Sequence, residues 1–304
     1  MSVVTYSDQN TLLGKCYITR SYVFLHDKIL NERDTLTYSL CKDGEVYGYS
    51  VQPNQPLTEL YHIPCYVVKF VFSAVDTLHQ PGQEAVMDQL CAALKREIES
   101  VKGYYVLRIP AHIVDLIRAV NRNLNRLLFC GGTVEEIYTE SSKQITWSRE
   151  IEVLFADRLF VETHRQQLLS MALRSFQNYQ GQYHISPVTS GNAGEIYRRW
   201  IEHTLDDYKE NALIVVRHGQ ELAGYCTLRE DTLAVEAVLG SVNQEKRRLG
   251  VYKAMFYTLI QYAKEKGKLF LSSTQFDNYI VQGTWSALGL RPFYSIYNVH
   301  FDNR

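Results

Sequence analysis

The sequence predicts an α/β (α+β) fold with a mixed central sheet flanked by helices in each of two halves. A chain of 304 residues is longer than one hydrophobic core usually supports, so two domains are expected. Apolar runs typical of strands alternate with runs in which apolar residues recur at helical spacing. One order of elements, a hairpin followed by strand, helix, strand, helix and strand, occurs twice. The predicted domains are 1–145 and 146–304, joined near the polar segment 141–143.

The second half is organised by glycine-containing turns. His218-Gly219-Gln220 separates two β-prone runs and predicts a hairpin. Gly267 follows a helical run and predicts its end. The predicted elements are strands 212–217, 221–229 and 232–242, a helix with the apolar face Met255, Phe256, Leu259, Ile260 and Ala263, strand 268–273, helix 279–288 and strand 293–301.

The first half has the same predicted order but lacks one feature of the second. Asp43-Gly44 predicts the hairpin, and the segment between Val75 and Gln83 has no Arg-x-x-Gly sequence. Either the first half is a decayed copy of the second, or a common order of elements has recurred by chance. The predicted elements are strand 66–75, helix 83–99, strand 106–110, helix 113–129, a glycine pair at 131–132 and strand 133–140.

Composition excludes several classes of partner. The formal net charge is −1, so no basic field is available and a nucleic-acid partner is not expected. No run approaches the ~20 apolar residues of a membrane helix, and the N-terminus does not resemble a signal peptide. The six cysteines and nine histidines are scattered, which predicts reduced thiols, a cytoplasmic location and no metal site.

The segment from Val242 to Lys253 carries the strongest chemical signal. It joins a strand to a helix through a short basic turn containing Arg247, Arg248 and Gly250. The first N–H groups of a helix have no partner inside the helix, and the helix dipole favours an anion there. Glycine lets the backbone approach a ligand closely. This pattern predicts a site for a pyrophosphate.

The same segment resembles the acetyl-CoA motif of the GNAT acetyltransferases, Val-x-x-x-x-Arg/Gln-x-x-Gly-x-Gly/Ala. Val242, Arg247 and Gly250 match the motif, whereas Tyr252 departs from its last small residue. The resemblance implies a tandem GNAT-like arrangement with a degenerate first half and a catalytic second half. It also implies acetyl-CoA as co-substrate and a small primary amine as acceptor, with no metal. The implied cofactor-binding residues are Val242, Arg247, Arg248, Leu249, Gly250, Val251, Tyr252 and Asn278.

The tail of the chain is similar to one branch of that family. Its Thr-Gln-x-x-Asn, Trp-x-x-Leu-Gly-Leu and Tyr-x-x-His sequences resemble amino-sugar N-acetyltransferases of the dTDP-fucosamine acetyltransferase type. The resemblance makes a nucleotide-linked amino sugar one candidate acceptor. It also places Asn278 on the pantetheine arm. The family tyrosine that protonates the CoA sulfur falls on Trp285, which has no titratable proton.

Glu236 is the candidate general base. Strand alternation predicts that it shares a face with Val238, Gly240 and Val242, and it stands where the histone-modifying branch of the family has its general-base glutamate. A solvated carboxylate, or one paired with lysine, is the alternative. The resemblance implies that a backbone N–H near Gly240–Val242 polarises the thioester carbonyl, because the central strands of the family fold are splayed there. Gly240 is compatible with a bulge at that point, and a tight packing site is the alternative reason for the glycine.

The sequence does not identify the acceptor substrate. Residues 155–207 would form its side of the site, and several of their side chains could bind a sugar nucleotide or simply pack. Two rival functions stay open: transfer to an amino-acid, peptide or protein amine, and non-catalytic binding of acyl-CoA. Whether the chain forms a homodimer is also open. The residues in question are Tyr179, Tyr183, Tyr197, Arg198 and Trp200.

Overall fold

A computed structural model describes residues 36–42, 45–72, 83–139, 144–177, 179 and 181–304. The strands are β1 Tyr38–Lys42, β2 Glu45–Pro53, β3 Cys65–Phe72, β4 Tyr104–Pro110, β5 Leu128–Tyr138, β6 Ile151–Phe155, β7 Leu213–His218, β8 Glu221–Glu230, β9 Ala234–Val242, β10 Leu269–Gln275 and β11 Leu290–Asp302. The helices are α1 Gln55–Tyr61, α2 Glu84–Ser100, α3 Val114–Asn123, α4 Arg158–Phe176, α5 Gln182–Ile185, α6 Ala193–Asp206, α7 Val251–Glu265 and α8 Tyr279–Leu288.

These residues form two compact units. The first contains the described residues up to Gln52, together with Tyr66–Leu127 and Phe301–Arg304. The second contains Pro53–Cys65 and Leu128–His300. The chain therefore passes between the units at 52/53, 65/66, 127/128 and 300/301. The predicted division at 145/146 refers to repeated halves of the sequence and stays a prediction.

The first unit has four neighbouring strands in the order β1-β2-β3-β4. β1 and β2 pair in an antiparallel register from Tyr38↔Tyr49 to Lys42↔Glu45, as the hairpin signal predicts. The turn at 43–44 and the segment 73–82 lie outside the described residues. Helix α2 buries one face, as its spacing predicts, through Val86, Met87, Leu90, Ala93 and Leu94.

The second unit is built on strands in the order β11-β5-β10-β9-β8-β7-β6. β9 and β10 are parallel, whereas β10 with β5, β8 with β9, and β7 with β8 are antiparallel. The sheet is therefore mixed and carries helices, which confirms the predicted fold class. The core on one of its faces contains α7, which contributes the predicted residues Met255, Phe256, Leu259, Ile260 and Ala263.

The segment after α3 differs from the prediction. A helix was expected over 113–129, followed by glycines outside any strand, but α3 ends at Asn123 and both glycines lie inside β5. Gly132 is needed there because a Cβ would stand 2.5 Å from the ring of Phe276, whose N–H donates to the Gly132 carbonyl at 2.9 Å. β5 pairs with both β10 and β11, so its backbone groups are satisfied within the sheet.

Candidate active site

The parallel strands β9 and β10 separate partway along their length. Their register runs from Leu269↔Ala234 to Ser272↔Ala237 and extends no further among the described residues, although β9 continues to Val242. The hydroxyl of Ser272 donates to the carbonyl of Ala237 at 3.0 Å, at the last paired position. Beyond this point one edge of β9 faces an opening in the sheet.

A bulge changes the side-chain phase of β9 next to this opening. β8 pairs through Thr227↔Leu239 and then Leu228↔Ala237, so Val238 is the extra residue. Paired residues share a face, which puts Glu236 with Leu239 and not with Gly240. The expectation that Glu236 shares a face with Gly240 and Val242 is therefore wrong.

The bulge also directs the backbone amides. The N–H of Leu239 donates to the Thr227 hydroxyl at 3.1 Å, toward β8. Amides alternate along a strand, so the next one, at Gly240, points toward the opening. This is the amide that the sequence proposes for carbonyl polarisation.

The turn after β9 presents a helix N-terminus without a side-chain cap. Gly250 is the N-cap of α7 with φ 88°, and Arg248 has φ 66°, so both lie in the left-handed region. No acidic residue occupies the first turn of α7. The first amides of α7 and its dipole are thus available to an anion. A Cβ at Gly250 would meet only Ile151, at 3.9 Å, so backbone conformation and not space favours glycine there.

The eight predicted cofactor-binding residues fall into different environments. Val251 is buried in the core and Val242 is partly buried against it, so they anchor the turn. Arg247, Arg248 and Leu249 are exposed at its surface.

Tyr252 connects the first turn of α7 to α8. Its ring stacks on Phe256 with centroids 4.4 Å apart, and its hydroxyl accepts a hydrogen bond from Trp285 Nε1 at 3.1 Å. Trp285 is 1% exposed. The Tyr252 Cε2 atom lies 3.7 Å from the position that a Cβ on Gly240 would take, so the phenol ring lies beside the opened part of β9. Burial raises the pKa of Tyr252 well above its usual value.

Asn278 is already engaged by the protein. It is the N-cap residue of α8, and its amide Nδ2 donates to the Thr274 hydroxyl at 3.0 Å. The Tyr179 hydroxyl hydrogen-bonds to both side chains, and burial raises the pKa of Tyr179. Tyr179 therefore reaches from the segment after α4 to the loop between β10 and α8.

Glu236 lies on the sheet face opposite α7. Its carboxylate accepts from Arg229 Nε at 3.1 Å and forms an ion pair with the same guanidinium. The side chain of Glu236 is 18% exposed. On this face Ser241 bonds to Ser175 of α4 at 2.6 Å, hydroxyl to hydroxyl, so α4 lines the side of the sheet that carries Glu236. The partner of the carboxylate is an arginine on the neighbouring strand and not a lysine.

Glu136 of β5 is a second carboxyl near the opening, which the sequence did not single out. It is 3% exposed, and its Oε2 has no hydrogen-bond partner among the residues that the structure describes. It pairs with Ser272, which pairs with Ala237, so Glu136 shares the face of α7. Burial raises the pKa of Glu136 to about 7, opposed by the charge of Arg291. The burial of Glu136 depends on the register between β5 and β10, so the sequence alone does not reveal it.

The proposed acceptor residues divide between packing and site. Tyr183 and Tyr197 are buried, and Tyr197 stacks on Phe176 at 4.3 Å. The guanidinium of Arg198 is held by Glu195 and Glu202 within its own helix. Trp200 is 37% exposed and stacks on Tyr197. Of this group, Tyr179 is the member whose polar atom reaches the loop that bears Asn278.

No group of three or more His, Cys, Asp or Glu residues has the arrangement of a metal site within the part of the chain that the structure describes. No described helix is long and apolar enough to cross a membrane. Cys41, Cys65, Cys91, Cys130 and Cys226 are free thiols.

Comparison with known proteins agrees with this geometry. Residues 173–290, which include β7 to β10, α7 and α8, match the Acetyltransferase (GNAT) family. No curated protein matches the chain.

Solved structures share the fold at low sequence identity. A GCN5-related N-acetyltransferase from Sphaerobacter thermophilus aligns at TM-score 0.57 and 11% identity, covering 86% of this chain and 78% of that one. A GNAT-family acetyltransferase from Colwellia psychrerythraea aligns at TM-score 0.52 and 12% identity, covering 95% and 98%. A GCN5-related N-acetyltransferase from Kribbella flavida aligns at TM-score 0.53 and 9% identity, covering 93% and 96%.

The match covers residues 173–290, and the family that it describes uses acetyl-CoA as co-substrate. Together with the separated strands and the uncapped helix N-terminus, this match supports an acyltransferase.

Proposed function

We propose that the chain transfers the acetyl group of acetyl-CoA to the nitrogen of a small primary amine, with a nucleotide-linked amino sugar as the leading acceptor. The observation that carries the proposal is the opening between β9 and β10, which leads to the uncapped N-terminus of α7. An extended, anionic co-substrate needs both a slot for its arm and donors for its phosphates.

The turn before α7 is proposed to hold the pyrophosphate. The amides that follow Gly250 bind its oxygens, and Arg247 and Arg248 add charge from the surface. Arg248 and Gly250 both have left-handed backbones, which tilt neighbouring amides toward one side as in other anion-binding turns. Val242 and Val251 fix the turn from below, and Asn278 binds the pantetheine arm. Acetyl-CoA supplies the activated acetyl group when bound.

Two groups are proposed to act on the reacting centre. The Gly240 amide donates to the thioester oxygen, where negative charge develops during attack. Glu236 takes the proton of the attacking amine, directly or through water, as a general base. Its ion pair with Arg229 holds the carboxylate in position and competes with the amine for its oxygens. The two groups lie on opposite sides of the bulge at Val238, close in sequence but pointing differently.

The acceptor is proposed to approach from the face that carries Glu236. Tyr179 borders the site on that side through its bonds to Thr274 and Asn278. The choice of a nucleotide-linked amino sugar rests on the resemblance of the segment from Thr274 to His300 to amino-sugar acetyltransferases. The Tyr179 hydroxyl at the border of the site could hydrogen-bond to the hydroxyl groups of a sugar.

The test is turnover. Release of free CoA from acetyl-CoA would be followed with nucleotide-linked amino sugars, free amino sugars, amino acids and peptide amines. We expect the highest kcat/KM with a nucleotide-linked amino sugar, and loss of turnover in Gly250→Val. Preference for an amino acid or peptide would overturn the acceptor but keep the enzyme. Binding of acetyl-CoA without turnover of any amine would overturn the enzymatic function.

A further inference from the structure

The proposed function leaves the departing sulfur without an acid. The family position for that acid is Trp285, an indole that can donate a hydrogen bond but has no proton to give at ordinary pH. The structure shows where this indole is directed. Its Nε1–H donates to the hydroxyl oxygen of Tyr252 at 3.1 Å.

This hydrogen bond determines that the Tyr252 oxygen is the acceptor from Trp285. An indole nitrogen is a donor only, so the Tyr252 oxygen must be the acceptor. The hydroxyl proton of Tyr252 is then free to point to a second acceptor. Stacking on Phe256 holds the ring itself in place.

The ring of Tyr252 lies beside the opening. It approaches Gly240, which lies past the last parallel pair of β9 and β10. A Cβ at Gly240 would stand 3.7 Å from the ring. The Gly240 amide is the proposed donor to the thioester oxygen, so a thioester bound there would lie close to Tyr252.

We propose that Tyr252 is the catalytic proton donor to the leaving sulfur and that Trp285 is the residue that positions it. This inference rests on the proposed function and supplies its missing acid. The proton would come from Tyr252 in the first turn of α7. Trp285 on α8, at the family position of the acid, would hold Tyr252 in place through its N–H.

The step follows addition of the amine, in which the nitrogen bonds to the carbonyl carbon and Glu236 takes the amine proton. The carbon–sulfur bond of this tetrahedral adduct then breaks, its electron pair passes to sulfur, and the carbonyl of the new amide forms. The O–H bond of Tyr252 breaks and its proton joins the sulfur, which gives the free thiol of CoA. The Trp285 N–H stabilises the phenolate, and the phenolate recovers a proton from water after the thiol leaves.

The surroundings of Tyr252 set the strength of this acid. Burial raises the pKa of Tyr252, and the charges of Cys226, Tyr179 and Glu136 raise it further, whereas the Trp285 hydrogen bond lowers it. A thiol in water has a pKa of about 8.5, below that of the buried phenol, so Tyr252 first stabilises the departing sulfur as a hydrogen-bond donor and the transfer of its proton is uphill. Trp285 therefore works in the direction that eases proton release.

The first experiment needs no acceptor. The pKa of the CoA thiol would be measured in its complex with the full chain by the ultraviolet absorbance of the thiolate. A donor to the thiolate stabilises it, so Tyr252→Phe should raise the pKa of the bound thiol by about 1 unit, the size expected for losing one hydrogen bond to a charged group. Tyr257→Phe, on the same helix with its ring against Trp147, is the matched control and should leave the bound thiol unchanged.

The second experiment uses turnover with the acceptor found above. Tyr252→Phe should lower kcat about 10²-fold, the lower end for a general acid, with little change in acetyl-CoA affinity. Trp285→Phe should lower kcat less. The double variant should be no slower than Tyr252→Phe, because residues that act as a unit are not additive. Circular dichroism would establish that each variant is folded.

Three results would overturn the inference. One is a thiol pKa that Tyr252→Phe leaves unchanged in a CoA complex. Another is a shift caused by Tyr179→Phe instead, which would assign the donor to the phenol beside Asn278. The third is full additivity of the Tyr252 and Trp285 variants. Failure of the wild-type chain to bind CoA would overturn the proposed function and this inference with it, whereas the first three results leave the proposed function standing.

Discussion

The indole Nε1–H of Trp285 donates to the hydroxyl of Tyr252 across 3.1 Å, which joins the middle of α8 to the first turn of α7. The two positions are the ones at which this chain departs from the family pattern. Tyr252 replaces a small residue of the acetyl-CoA motif, and Trp285 replaces a tyrosine. The contact between these two positions supports the proposal that Tyr252 takes the role of the family tyrosine.

The glycine at the helix N-cap gives the first prediction. Gly250→Val should weaken CoA binding at least about 10-fold, because valine strongly disfavours the left-handed backbone that aims the α7 amides at the pyrophosphate. The nearest atom to a new Cβ is 3.9 Å away, so the variant should fold. Isothermal calorimetry measures the affinity.

The other end of the same helix supplies the control. Gly267 follows α7, has φ 67° and has open space around a new Cβ. Gly267→Val therefore imposes comparable backbone strain far from the turn and should keep wild-type CoA affinity. Equal losses in both variants, or no loss in folded Gly250→Val, would contradict the assignment of the pyrophosphate site.

The number of CoA sites is the second prediction. We expect one site per chain, in the second half. In the predicted repeat, helix α2 corresponds to α7, but the N-cap of α2, Gln83, has a right-handed backbone and Glu84 stands in its first turn. A carboxylate at a helix N-terminus repels an anionic ligand. Titration should give a stoichiometry near one, and Gly250→Val should weaken binding at that site. Two equivalent sites would contradict the prediction.

The general base gives the third prediction. Glu236→Gln should lower the rate by ~10²- to 10⁴-fold and flatten the rise of activity with pH, because glutamine keeps the size but cannot take the proton. Acetyl-CoA affinity should change little. A variant that keeps more than half of the wild-type rate, with the same pH profile, would remove Glu236 from the mechanism.

The arginine partner sharpens that test. Arg229→Met removes the guanidinium that binds the Glu236 carboxylate, so it should change the rate only where that carboxylate is present. The same change made on top of Glu236→Gln should therefore leave the rate of Glu236→Gln unaltered. An effect of equal size in both backgrounds would show that Arg229 does not act through Glu236.

The buried carboxyl of Glu136 gives the fourth prediction, which concerns stability. Its pKa is raised from 4.5 to about 7 by burial. In the native chain it keeps a proton that the unfolded chain loses, so stability falls as pH rises from about 4.5 to 7 and stays reduced above 7. The loss is at most about 3 kcal/mol.

Glu136→Gln should therefore be close to wild type at pH 5 and more stable than wild type at pH 8. Urea unfolding across this range measures the difference. Glu152→Gln on β6 removes an exposed carboxylate and should show no such trend. A Glu136→Gln effect that is constant with pH would contradict the raised pKa.

Much of the second half could be predicted from local sequence. Helix α8 matches the prediction at both ends, and α7 buries the residues that its spacing selects. Two-residue alternation, helical spacing and glycines with left-handed backbones are local properties, because they depend on neighbours within a few residues. The turn at Gly250 belongs to this class.

Tertiary structure decided the features that depend on residues far apart. Gly131 and Gly132 resemble a turn, yet pairing with β10 and β11 draws them into β5. The bulge at Val238 reverses the side-chain phase of β9, because β8 fixes the register on both sides of it. The two-residue alternation of side chains within 234–242 does not predict this bulge.

The site shows the same division. Local sequence predicts the strand, the basic turn and the helix that are proposed to bind a pyrophosphate. The pairing of Glu236 with Arg229, the burial of Glu136 and the contact between Trp285 and Tyr252 arise from packing between distant segments. These relations follow from strand register and helix packing, which set distances between residues that are remote along the chain.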